Sequence, residues 1–107
     1  MDFNCLDVAS LTGFDWDDGN RYKNSDTHGL DYRRIEEVFF NEPLLVMEDF
    51  SHSDTECRCF AYGYDNQGTR IMVVFTTRGE HIRVISARTM TPKEKTYYEA
   101  NKYNPWV

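Results

Sequence analysis

The stretch Gly68-Thr69-Arg70-Ile71-Met72-Val73-Val74-Phe75-Thr76-Thr77-Arg78-Gly79-Glu80-His81-Ile82-Arg83-Val84-Ile85-Ser86-Ala87-Arg88 decides the fold. It reads as two strands closing on the turn Thr77-Arg78-Gly79-Glu80. The first, Ile71 to Phe75, is a continuous apolar run, the pattern of a strand covered on both faces. The second alternates: Ile82, Val84, Ser86 and Arg88 fall on one face, and His81, Arg83, Ile85 and Ala87 on the other. Arg78, Arg83 and Arg88 therefore sit on or beside one rigid hairpin. A guanidinium is planar, permanently charged and able to bind bidentately, so three held this way suit a phosphate-rich ligand. One such arginine alone would be an ordinary solvated side chain.

Upstream of the hairpin, Cys57 to Tyr64 reads as a strand with Arg58, Phe60, Tyr62 and Tyr64 on one face. The turn Asp65-Asn66-Gln67-Gly68 joins it to the hairpin. Leu44 to Met47 is a further strand, followed by the polar loop Asp49 to Glu56. Consecutive strands joined by short turns make an antiparallel meander. Downstream, Thr91-Pro92-Lys93-Glu94 opens a helix: Thr91 caps, Pro92 takes the first helical position and Glu94 completes a capping box. Tyr97 and Tyr98 form its aromatic stripe, and Asn104-Pro105 ends it.

The first part of the chain adds two helices. Asp31 caps one, with Leu30 placed to pack on Ile35, and Ile35, Val38 and Phe39 give the buried stripe. Pro43 forces its end. Phe14-Asp15-Trp16 alternates like a short strand, and Asp17 or Asp18 then caps a polar helix running to about His28, with Gly29 at a left-handed cap. Residues 1–12 are an extra strand or a loose extension. The expected architecture is one domain, residues 1–107, of the α+β class, with helices packed on one side of a mostly antiparallel sheet of about four to five strands.

The chain's 107 residues supply one core, and 40% apolar with 28% charged residues excludes a disordered chain. It shows neither a signal peptide nor a transmembrane run, so no membrane association and a cytoplasmic location are expected. Three cysteines, at 5, 57 and 59, argue against a disulfide framework, and ordinary reduced thiols are expected. The net charge of −6 divides unevenly, as −10 over residues 1–57 and +4 over 58–107. The second half can present a basic face to RNA while the first half suits a basic protein partner.

Together these residues resemble the BrnT-type toxins of bacterial type II toxin–antitoxin systems. The resemblance runs from Phe14 to about Tyr98. It is carried by Phe14-x-Trp16-Asp17, Asn24, His28-Gly29, Glu37-Val38-Phe39, Glu56-x-Arg58, Thr76-x-Arg78-Gly79, Arg83-x-Ile85-Ser86-Ala87-Arg88, and Glu94 with Tyr97 and Tyr98. It implies a RelE-like fold and an endoribonuclease that inhibits translation and growth. It also implies a cognate BrnA-like antitoxin, a ribbon-helix-helix protein that alone contacts operator DNA and through whose dimerisation a heterotetramer would form. The implied chemistry needs no metal or cofactor. The ribose 2′-OH attacks the adjacent phosphorus, leaving a 2′,3′-cyclic phosphate and a free 5′-OH.

Such a reaction needs proton-transfer groups and cations for the phosphorane charge. The resemblance places His28 as base or acid; a helix C-terminal cap is its equal alternative. Arg58, Arg78, Arg83 and Arg88 would hold phosphates. Thr76 would donate a hydrogen bond, Glu56 would buffer an arginine or act as a base, and Tyr97 would stack on a base, with at least one of Tyr97 and Tyr98 packing on the sheet instead. The chain departs from the family where Asn20 and Thr27 replace common lysines, so two cations are missing. That departure and the acidic first half raise a second expectation, a catalytically weak protein-binding module acting mainly through its antitoxin complex.

Overall fold

The computed structural model describes residues 12–22, 29–49 and 58–103. Five strands form one sheet: β1 (Gly13–Phe14), β2 (Leu45–Glu48), β3 (Arg58–Tyr64), β4 (Arg70–Arg78) and β5 (His81–Thr89). Their spatial order is β1-β5-β4-β3-β2. β2 to β5 make the antiparallel meander read from the sequence, and β1 adds to β5 in parallel. The helices are α1 (Asp18–Arg21), α2 (Tyr32–Val38) and α3 (Pro92–Asn101). The expected meander, the hairpin and the α+β class all hold.

Two cores lie on opposite faces of the sheet. On one, Leu30, Ile35 and Val38 of the α2 segment pack on Cys59, Ala61, Ile71, Val73, Phe75, Ile82, Val84 and Ala87. On the other, Tyr98 of α3 packs with Leu45, Met72 and Met90. The helices are therefore not all on one side. The reason lies in β4, whose apolar run buries Ile71, Val73 and Phe75 one way and Met72 the other. A strand apolar on both faces needs two covers. Cys59, fully buried in the first core, is disulfide-bonded, against the expectation of reduced thiols. An odd cysteine count excludes complete pairing but not a single bridge.

Strict alternation along β5 also fails. Val84 pairs with Phe75 and Ser86 with Val74, so Ile85 enters as an extra residue, a β-bulge. The bulge flips the phase: Ala87 joins Ile82 and Val84 in the first core, and Arg88 moves to the face of Arg83. The hairpin closes through Gly79, whose φ of 60° lies in the left-handed region that favours glycine. At Gly63 a side chain is excluded by packing, because a Cβ there would stand 2.9 Å from Val38 Cγ1 of α2.

The caps are as read. Asp17 accepts from the N–H groups of Gly19 and Asn20, Asp31 from that of Arg33, and Thr91 forms the capping box with Glu94. α2 ends at Val38, well before Pro43, because Phe39 and Phe40 close tight turns onto Glu36 and Glu37 carbonyls. α1 ends at Arg21 with Tyr22 as its C-cap, short of the helix expected to run to about His28; residues 23–28 and 1–11 lie outside the described residues.

Asp65 joins the β3–β4 turn to α2. It is fully buried. Its Oδ1 accepts from the backbone N–H groups of Gln67 and Thr69 at 2.9 Å, and its Oδ2 from Arg34 Nε at 2.8 Å. Burial alone would raise its pKa, but Arg34 and the two N–H groups outweigh burial and hold the carboxyl below its ordinary 3.8. A carboxyl depressed in the folded state stabilises the fold above its unfolded pKa, and that stability is lost as pH falls through the folded value. Asp65→Asn is expected to lower unfolding stability by about 2–3 kcal/mol at neutral pH. Urea titrations should show the deficit shrinking below about pH 4 as the parent's carboxylate protonates.

Candidate functional site

The register of the meander lines up residues that are far apart in sequence. Arg58 on β3 pairs with Thr76 on β4, and Thr76 pairs with Arg83 on β5. The three form one row across the sheet face that also carries α3. Strand spacing puts Arg58 and Arg83 about 10 Å apart at the backbone, a span that two long side chains can close over the short Thr76. The row extends both ways. Asp49, only 7% exposed, donates its backbone N–H to the Arg58 carbonyl at 2.7 Å. Beyond Arg83, the parallel β1 brings in Asp15, whose N–H bonds to the Ile82 carbonyl at 2.8 Å. The result is a line of acid, arginine, threonine, arginine, acid.

Arg83 is held from the β1 side. Its Nη2 donates to Asp17 Oδ2 at 2.9 Å, and its Nη1 stands 3.9 Å from Asp15 Oδ2. The other Asp17 oxygen accepts from Gly19 and Asn20 N–H groups, so the helix start and the arginine share one carboxylate. Arg83 lowers the Asp17 pKa first, helped by those N–H groups. Asn20 is buried and ties the corner together: its amide reaches the carbonyls of Asp15 and Val84, and its Oδ1 accepts from the Asp17 N–H. Thr76 is 1% exposed and forms the floor of the row rather than its contact surface.

The remaining expected residues fall in different places. Arg78 stands exposed at the hairpin end, opposite His81. Arg88 shares the face but lies in the row of Met72 and Tyr62, four β4 residues, or about 13 Å, from Thr76. Its guanidinium binds both oxygens of Glu94, at 2.7 and 2.9 Å, and so ties β5 to α3. Tyr98 is fully buried and its hydroxyl bonds to the Pro43 carbonyl. Tyr97 is 40% exposed and meets Tyr62 edge-on at 6.1 Å. With part-buried Phe60 and Val74 it borders the space between α3 and the arginine row. His28 and Glu56 lie outside the described residues. Reading the sequence missed Asp15, Asp17 and Asp49 as neighbours of the arginines. The alternation of Asp15 and Asp17 around Trp16 was visible; the parallel pairing of β1 with β5 was not.

Comparison with known proteins gives two findings. The family model described as "Ribonuclease toxin, BrnT, of type II toxin-antitoxin system" matches residues 16–94. The crystal structure of the Brucella abortus ribonuclease toxin BrnT superposes with a TM-score of 0.54 at 26% identity, covering 76% of this chain and 99% of that one. A search of curated proteins returned no match.

The Arg88–Glu94 pair is an ionic tie between β5 and α3. The pair, chiefly through its side-chain hydrogen bonds, lowers the Glu94 pKa from 4.5 and raises that of Arg88. Its contribution is complete above the unfolded carboxyl's pKa and fades as pH falls through the depressed folded value. Arg88→Ala should lower stability at neutral pH by about 1 kcal/mol, given the solvent screening of a part-exposed pair. Thermal melts should show the difference vanishing below about pH 4.

Proposed function

The chain belongs to the BrnT family of ribonuclease toxins of type II toxin–antitoxin systems, and from that membership we propose that it is a metal-independent endoribonuclease whose phosphate-holding centre is the row Arg58–Thr76–Arg83. The observation that carries this reading is the register itself: two arginines on separate strands, one small residue between them, on a rigid sheet. Preorganised cations are worth most where charge develops in the transition state. A scissile phosphate spanning Arg58 and Arg83 would meet two guanidiniums carried on the strands that flank β4, with Asp17 already against one edge of Arg83. Arg78, at the open end of the hairpin, would take a neighbouring phosphate, and Tyr97 would stack on a base.

In the reaction, the 2′-oxygen loses its proton and forms a bond to phosphorus while the bond to the 5′-oxygen breaks. A 2′,3′-cyclic phosphate and a 5′-OH result. His28 is the proposed proton carrier and Glu56 its proposed alternative. The toxin would act on cytoplasmic RNA and be neutralised by a BrnA-like ribbon-helix-helix antitoxin, through whose dimerisation a heterotetramer forms and operator DNA is reached.

A specific observation favours the second reading, a weak or inactive module. Asp17 already occupies one edge of Arg83, and Glu94 occupies Arg88. RNA must displace or work around these carboxylates. Cleavage rate measured against pH decides between the two. Arg83→Ala should slow cleavage on the order of 10²–10³-fold while keeping the parent's pH profile, because arginine does not titrate in the working range. His28→Ala should be slow and lose the limb near neutral pH. If His28→Ala keeps that profile, His28 is only a helix cap. A parent chain that is folded, neither cleaves RNA nor arrests growth, yet binds its antitoxin establishes the module reading.

A further inference from the structure

Five aromatic rings form an unbroken chain on the α2 side of β1, away from the arginine row. Tyr22 meets Tyr32 at 6.4 Å, Tyr32 meets Trp16 at 5.6 Å, Trp16 meets Phe14 at 6.4 Å, and Phe14 meets Phe40 at 6.2 Å between ring centroids. The middle of the chain is anchored. Phe14 packs on Phe39 and through it on buried Phe75, and Trp16 Nε1 donates to Glu36 at 2.7 Å. The ends are open, with Tyr22 52% and Phe40 76% exposed. Single exposed apolar residues are common, but a continuous, rigidly backed aromatic ribbon marks an interaction surface. Aromatic side chains supply much of the binding energy at such surfaces.

The surrounding charge says what kind of partner fits. On the ribbon's side of the sheet stand Asp31, Glu36, Glu37 and Glu42 together with Arg21, Arg33 and Arg34, while Asp15 and Asp17 face Arg83 on the other side. Arg33 is paired with Asp31 and Arg34 with Asp65. Arg21 and Arg33 also lie over the Tyr32 ring, at 5.3 and 5.5 Å, so the negative surroundings are those of the Phe40 end, beside Glu37 and Glu42, and they repel a nucleic acid and attract a basic segment. We propose that this ribbon is the docking surface for a basic amphipathic segment of the antitoxin. Its apolar side chains cover Phe40 and Tyr22, and its lysines or arginines meet carboxylates such as Glu42, two residues from Phe40. The proposal rests on the antitoxin pairing put forward above and is independent of the cleavage chemistry.

The test uses the full chain and the product of the antitoxin reading frame adjoining its gene, with affinity measured by titration calorimetry. The doubly substituted Phe40→Ser, Tyr22→Ser chain should bind the antitoxin on the order of 100-fold more weakly. Its circular dichroism and RNA cleavage should match the parent's. Glu42→Lys, a surface change that leaves the rings alone, should slow association several-fold, with the difference fading as salt is added. Parent affinity in both variants overturns the ribbon as the docking site. So does a variant whose only loss is self-association, which would make the surface a contact between copies of this chain. A loss of RNA binding with antitoxin binding intact would make it an RNA track and overturns the proposal too. A parent chain that does not bind the antitoxin at all overturns the pairing itself, a result distinct from failure of the ribbon.

Discussion

A central strand that is apolar on both faces has to be covered twice, and most of this structure follows from that. β4 sends Ile71, Val73 and Phe75 toward α2 and Met72 toward α3. At about 25 cal/mol per Å² of apolar surface, leaving either side wet would cost several kcal/mol in a domain of this size. The chain uses its early helical segment for one face and its last helix for the other. Because α3 is short, it covers only the half of its face near Arg70 and Arg88, with Glu99 and Glu94 as ionic ties. Arg58, Thr76 and Arg83 line up on the half that α3 does not reach. The candidate site is thus the part of a two-sided sheet that the last helix does not reach.

The bulge at Ile85 decides which side chains share that face. Without it, Arg83 and Arg88 would point to opposite faces, and one charge would enter the core beside Val84. With it, both arginines stay on the α3 side, and Ala87 takes its place in the first core. One extra residue therefore sets Arg83, held by Asp17, and Arg88, tied to α3 through Glu94, on one face.

The acidic first half of the chain acquires local reasons. Asp17 and Asp15 stand against Arg83, Asp31 against Arg33, and Glu36 accepts from Trp16. Most of these groups are part-exposed, so each contributes little to stability. Their larger effect is positional. Asp17 fixes an arginine and a helix start at once, and buried Asn20 braces both. Its amide closes this corner with hydrogen bonds to the Asp15 and Val84 carbonyls.

The sequence by itself determined what depends on neighbours along the chain. The caps at Asp17, Asp31 and Thr91, the turns at Asp65 and Gly79, the meander from β2 to β5 and the face of Arg58 were legible because short-range hydrogen bonding and two-residue alternation generate them. The order of motifs also carried the family. Tertiary structure decided what depends on pairing between distant segments. The parallel docking of β1 that brings Asp15 and Asp17 to Arg83 has no local signature. The bulge that moved Arg88 is set by how β5 meets β4. The side on which α3 lands depends on where apolar surface remains uncovered, a property of the assembled sheet and of no single segment.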